Sequence, residues 1–292
     1  MGDYASVIGG NGDPHDIYDQ SLKDLDVYYS IVSGGVSLNL SNFTGNNVFD
    51  TSANTHGVEI LSGTGDDYML GGRSDDTFAG GAGADTLSGE RGDDILSGGA
   101  GTDEIHGGAG DDSIDGGRGD DSLYGDAGDD EIHGGAGDDL VRGGNGDDTI
   151  FGDAGDDNLL GGAGDDEIHG GNGNDYVGGA FGDDLLYGDR GDDTMDGGAG
   201  ADTLVGGIGN DVFVFESRFG DDVIEDFTGG KDQIWLFANI NNSGIANAND
   251  VKQYVSGNAG QTVITIGDDS ITLDGVGKDD FLQHITQWVK II

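Results

Sequence analysis

The sequence predicts an all-β solenoid in which short coils stack into two parallel sheets, with a β cap at each end and a short helix closing the C-terminus. Three observations predict it. A nine-residue period runs from Ser62 to Val214 as seventeen units without insertion or deletion. Glycine supplies 62 of 292 residues and proline one, so most of the chain is turn, and neither collagen nor a proline-rich linker fits. Acidic residues outnumber basic ones 58 to 11, a net charge of −47. That balance excludes the basic face that nucleic acid requires and makes a cation the expected partner. Cysteine is absent, so any stapling falls to oxygen ligands, which hard cations such as calcium prefer.

Residues 1–61 lie outside the nine-residue frame. The opening MGDYASVIGG has neither a basic n-region nor an apolar h-region, and no apolar run approaches the roughly 18 residues of a membrane span. GGNGD at Gly9 to Asp13 echoes a turn. Alternation of Val27, Tyr29 and Ile31, then Gly34-Gly35, then Val36, Leu38 and Leu40, reads as a β-hairpin. Residues 1–61 are therefore assigned to an N-terminal β cap that covers an open sheet edge.

Within the array, residues 62–214, typical units are GGAGADTLS (80–88) and GGNGDDTIF (143–151). Position eight is apolar in all seventeen units, from Met69 to Phe213, and position six is always aspartate. These aspartates are Asp67, Asp76, Asp85, Asp94, Asp103, Asp112, Asp121, Asp130, Asp139, Asp148, Asp157, Asp166, Asp175, Asp184, Asp193, Asp202 and Asp211. Glycine fills positions one and four in sixteen of seventeen units each, which makes these the positions expected to need positive φ or close backbone approach. Position two is looser, with Glu90, Asp126, Asp153, Ala180 and Asp189 among its residues. The acidic residue at position five is Asp in twelve units and reads as a solvated outer charge.

The pattern G-G-x-G-x-D-x-U-x resembles the calcium-binding repeat of RTX proteins. In physical terms the glycine-rich hexad is a turn and x-U-x a three-residue strand with one inward side chain. Two units make a coil, and one apolar residue in nine forms a core only when coils stack. The resemblance implies a right-handed parallel β-roll. Stacking sets equivalent turns about 4.8 Å apart, so that Asp67 lies over Asp85 and Asp76 over Asp94, and unneutralised carboxylates there repel. Calcium takes six to eight oxygens, and a two-oxygen carboxylate can serve the ion above and the ion below. In the family, carbonyls of the turn glycines and of position three complete each shell. Nine odd-numbered and eight even-numbered turns then offer about fifteen gaps for Ca2+, lowering the net charge to about −17. Without calcium the array is expected to be unfolded.

Beyond Val214, residues 215–292 form a C-terminal cap. FGDDVIEDF (219–227) and GGKDQIWLF (229–237) keep an aspartate two residues before an isoleucine, at Asp222 and Asp232, as degenerate turns closing the roll. The segment from Asp222 to Ile234 is similar to the C-terminal junction of many RTX proteins. TVITIGDDSITL (262–273) reads as a hairpin about Gly267, Asp268 and Asp269. Phe281, Ile285, Trp288, Val289 and Ile292 fall at helical spacing and predict an amphipathic helix over 279–292. The resemblance implies that this helix is the uncleaved signal read by a type I exporter.

No sign of catalysis accompanies the array. His106, His133 and His169 each follow Glu-Ile at position nine, but His133 and His169, two coils apart, are too far from each other to chelate one metal and read as surface residues. H-E-x-x-H and G-x-S-x-G are absent. Carboxylate pairs recur identically in every turn, whereas a catalytic pair must be asymmetric. The expectation is a secreted, extracellular, non-enzymatic calcium-binding protein. It is expected to act at a cell surface or on a host or other partner, including by membrane interaction. The alternative is the C-terminal calcium-binding and secretion module of a larger exported enzyme or adhesin, such as an alginate epimerase or metalloprotease.

Overall fold

The structure is a computed structural model that describes residues 5–9, 27–31, 35 and 37–292. It forms two compact units, Met1–Asn145 and Gly146–Ile292, and each is a parallel β-solenoid.

In the first unit, strands alternate between two sheets. Thr86–Arg91, Glu104–Ala109 and Ser122–Ala127 belong to one, and Thr77–Ala82, Ile95–Ala100 and Ser113–Arg118 to the other. All of these pair in parallel with the strand one coil away, Ile105 against Leu123 and Ile114 against Leu96. An 18-residue coil follows from this register, and it places every position-eight side chain inward, from Met69 to Phe213 at no more than 1% exposure.

The strands are longer than the three residues expected. Glu104–Ala109 runs from position seven through the next unit's position three. Two of its side-chain positions face inward, Ile105 and Gly107. Gly107 is skipped in the register, where His106 pairs with Tyr124 and Gly108 with Asp126. The turn proper therefore shrinks to positions four to six. Parallel ladders satisfy the backbone of the glycine pair, which the sequence read as loop.

Positive φ falls at positions four and two. Gly110 has φ 141°, and a Cβ there would collide with the Gly92 carbonyl. Position two, read as loose, is left-handed even where it is not glycine, at Glu90 (74°), Asp126 (74°), Asp153 (69°), Ala180 (84°) and Asp189 (67°). Position one has no positive φ, and its glycine is needed for close approach instead.

The hairpin expected over residues 27–40 does not form. Val27–Ile31 pairs in parallel with Ala5–Gly9 and with Val48–Asp50, while Ser37–Asn39 pairs in parallel with Glu59–Leu61 in the other sheet. Period-two alternation marks a strand but does not choose its partner, and here coil stacking supplies that partner. Most of the GGNGD echo at 9–13 lies outside the described residues.

The second unit repeats the array geometry and then changes it. Asp221–Ile224 and Gln233–Leu236 extend the two sheets in parallel, as the degenerate turns predicted. Gln261–Ile266 and Asp269–Asp274 form the expected antiparallel hairpin, and Val255–Asn258 adds a further antiparallel strand. The terminal helix is shorter than predicted, Lys278–Trp288, because Val289–Ile291 leaves it to pair in parallel with Gln233–Leu236. Phe281, Ile285 and Trp288 are its buried face. Among the described residues no helix is long and apolar enough to cross a membrane.

Candidate metal centre

All seventeen position-six aspartates are buried, none more than 3% exposed. Within each unit, strand register places these aspartates directly above their counterparts one coil away. Within the first unit the Asp67 N–H donates to Asp85 Oδ1 at 2.7 Å, Asp85 to Asp103 at 2.7 Å and Asp103 to Asp121 at 2.7 Å. The second unit repeats the ladder, with Asp166 donating to Asp184 and Asp184 to Asp202, both at 2.9 Å. One carboxylate oxygen is thus tied to the peptide of the preceding coil, a bond the sequence reading of two-sided ion bridging did not contain.

The other oxygen is different. Oδ2 of Asp85, Asp94, Asp103, Asp112 and Asp121 in the first unit, and of Asp166, Asp175, Asp184 and Asp193 in the second, is buried without a hydrogen-bond partner. A buried anionic oxygen left unpaired costs several kcal/mol, so a row of them is suited to a bound cation. The cost shows in the acidities. Burial, opposed by the peptide hydrogen bond and reinforced by neighbouring carboxylates, pushes Asp85, Asp112, Asp121, Asp184 and Asp193 up to about 7. Asp94 and Asp175 rise to about 6, again through burial first.

Position-one glycines make the cradle. The space that a Cβ on Gly116 would fill has the Gly134 carbonyl oxygen at 2.6 Å and Asp121 Oδ2 at 2.7 Å. At Gly188 the Gly206 carbonyl lies at 2.7 Å and Asp193 Oδ2 at 2.6 Å. Carboxylate and carbonyl oxygens therefore converge on an opening that any side chain would close, a hard donor set that fits calcium. Among the described residues no three acidic or histidine side chains gather at one point, as expected where backbone carbonyls supply much of the shell.

At the start of the ladder the protein itself satisfies the carboxylate oxygens, whereas at the far end Asp222 Oδ2 is again buried without a partner. At its start Ser62 replaces the position-one glycine, and its hydroxyl donates to Asp67 Oδ2 while Asn47 donates to Oδ1. Asp76 Oδ2 accepts the Gly72 N–H at 2.9 Å. At its far end Asp222 accepts from Asp202 at 3.0 Å, and Asp232 from Asp211 at 3.1 Å and from Thr228 at 2.6 Å. Asp222 and Asp232 thus continue the ladder beyond the seventeen. Their signal was the aspartate two before an isoleucine, obscured because the coil lengthens to 20 and 21 residues. Asn47, outside any repeat, gave no signal.

Position five is more than the outer charge expected. These carboxylates are exposed, yet within each unit they accept a peptide N–H from the following coil: Ala84 N–H to Asp66 at 3.0 Å, Asp93 to Asp75 at 3.1 Å and Asp183 to Asp165 at 2.8 Å. Position-six and position-five side chains clasp neighbouring coils in opposite directions. Asn174 accepts equally well from Asp192 at 2.8 Å, which explains why the charge is dispensable there.

A solenoid whose turns stack cradles of hard oxygen ligands defines the class as a calcium-binding repeat protein. The chain belongs to the RTX calcium-binding nonapeptide repeat family, whose model matches in overlapping segments from 61–96 to 178–213. No curated protein matches the chain. Among solved structures it is similar to the extracellular lipase LipA from Serratia marcescens at 17% identity and a TM-score of 0.40, over 85% of this chain and 45% of that one.

Proposed function

We propose that this is a secreted protein whose array is folded by extracellular calcium, with about fifteen Ca2+ held between successive position-six aspartates. The observation that carries the reading is the row of buried Oδ2 atoms with no partner. Bound calcium supplies the positive charge that lets these carboxylates stay ionised. The residues do the rest: Asp Oδ1 aligns adjacent coils, Oδ2 faces the cradle, and position-one glycine keeps it open. In this reading the chain binds rather than catalyses, and acts at a cell surface or on a partner. Cytosolic calcium is too scarce to fill sites of extracellular affinity, so the chain stays extended while it passes a type I exporter and folds outside.

The test separates the two halves of the proposal. Deletion of residues 279–292 removes the signal segment and no position-six aspartate. The truncated protein is expected to remain in the producing cell and, once purified, to bind calcium with unchanged stoichiometry. Normal secretion overturns the C-terminal address. Absence of calcium binding by the full chain overturns the whole reading.

A further inference from the structure

Position nine carries a pattern that the calcium ladder does not explain. Glu104 and His106 sit on one strand, Tyr124 and Asp126 on the strand one coil later. Glu167, His169, Tyr187 and Asp189 repeat the same four places in the second unit. His106 Nδ1 is 3.1 Å from Asp126 Oδ2 and its Nε2 is 3.5 Å from Glu104 Oε1. For His169 the corresponding separations are 3.4 Å to Asp189 and 3.2 Å to Glu167. Each imidazole stacks on the tyrosine of the next coil, at 4.5 Å and 7° for Tyr124 and 4.4 Å and 7° for Tyr187.

We propose that each His–Asp pair, His106 with Asp126 and His169 with Asp189, is a site for a divalent transition ion of the Zn2+ type. Zinc binds nitrogen and carboxylate oxygen at about 2.0 to 2.2 Å, which sets two ligand atoms of one tetrahedral ion roughly 3.3 to 3.5 Å apart. The observed N···O separations lie at or just below that spacing before any ion enters. At His169 the Nε2 lies 3.2 Å from Glu167, so that Nε2–H donates to this carboxylate when Nδ1 binds the ion, the usual outer partner of a metal-bound imidazole; at His106 the Nδ1 is already within hydrogen-bond distance of Asp126 at 3.1 Å, and the ion would take the place of the shared proton. Such an N···O pair is held together by a proton or by a metal ion between the two atoms, and a zinc ion replaces the proton there. Tyrosine stacking holds the ring plane, so little ordering remains to be done on binding.

Placement of the aspartate supports the same conclusion. Asp126 and Asp189 occupy position two at φ 74° and 67°, where ten other units have a positive-φ glycine. Glu90, Asp153 and Ala180 share that conformation, and at Asp126 and Asp189 it carries a carboxylate onto the histidine of the preceding coil. A shallow cavity of about 320 Å³ beside His169 and Asp189 leaves room for water to complete the shell. The histidines do not chelate one another; each works with the carboxylate of its own next coil. Imidazole separates these sites from the all-oxygen turns, since calcium avoids nitrogen and zinc accepts it.

The experiment uses the full chain saturated with calcium, so that the turns are filled, and titrates Zn2+ by calorimetry and equilibrium dialysis. His106→Ala and His169→Ala are each expected to lose one bound equivalent and the double variant two, with unchanged far-UV circular dichroism, since Ala79 already occupies position nine elsewhere. Glu104→Gln and Glu167→Gln should weaken the respective site roughly tenfold. Cu2+ in place of Zn2+ should show hyperfine coupling to one imidazole nitrogen per ion. Wild-type zinc stoichiometry in the double histidine variant, or displacement of zinc by excess calcium, overturns the proposal.

Discussion

Between Ser62 and Val214 a coil buries one apolar side chain in nine residues, whereas the C-terminal region packs rings against one another: Phe213 on Phe227 at 6.2 Å, Phe227 on Trp288 at 5.8 Å and Phe281 on Trp288 at 6.0 Å. A fully buried aliphatic chain contributes about 1.5 to 3 kcal/mol. Nine residues of backbone cost about 1 to 2 kcal/mol each to order. The array therefore depends on what fills its turns, while the cap carries a hydrophobic core of its own. Parallel pairing carries on into the cap at Asp221–Ile224 and Gln233–Leu236, but the cap adds antiparallel strands and a helix, so the difference lies in backbone geometry as well as in side chains.

Chelation of calcium should separate the two regions most strongly. Both tryptophans, Trp235 and Trp288, lie in the cap, so their emission reports it while far-UV circular dichroism is dominated by the array. In chelator the β signal is expected to collapse while the tryptophan emission keeps most of its blue shift. Recovery of the β signal should begin near 10⁻⁴ to 10⁻³ M calcium, roughly the range of extracellular modules. Coincident loss of both signals breaks the comparison.

Phe281→Ala is expected to cost about 3 to 5 kcal/mol in denaturant unfolding of the cap and to leave the calcium midpoint of the array unchanged. Gly116→Ala acts in the opposite sense. It closes the cradle beneath Asp121 and Gly134 without removing a carboxylate, and should cost about 1 to 3 kcal/mol and one calcium ion. A full complement of calcium in this variant means that the open side of position one is not the ion's place.

Acidity sharpens the comparison further. Asp112 and Asp121 are raised from 3.8 to about 7 by burial, so the calcium-free folded array binds protons more tightly than the unfolded chain. Its stability is fully present at low pH and is lost as pH rises through about 6 to 7. Calcium-free protein should gain β signal at about pH 5 and lose it at about pH 8, and calcium affinity should fall as pH drops through the same window because the ion competes with protons. An unordered chain at both pH values contradicts this. The smallest effect is expected for Asp120→Ala. It removes an exposed acceptor for the Asp138 N–H and should cost under about 1 kcal/mol, against about 1 to 3 kcal/mol for Asp121→Ala, whose loss strands the buried Asp103 N–H.

The sequence by itself determined the coil. A strict period of nine fixes which residue faces inward and which carboxylates stack, because a parallel ladder repeats whatever the chain repeats. Asp67 to Asp211, the inward row from Met69 to Phe213, the hairpin about Gly267 and the degenerate rungs at Asp222 and Asp232 were all legible for that reason. Tertiary structure alone decided which neighbour each group meets. It turned the 27–40 alternation from a hairpin into strands of two sheets, took Val289–Ile291 out of the helix, and made position two left-handed at Asp126 and Asp189. It also sent position-five and position-six carboxylates to opposite coils, and set His106 and His169 against aspartates 20 residues away. Local pattern specifies a residue's face; the partner across a 4.8 Å gap follows only from the stacking of coils.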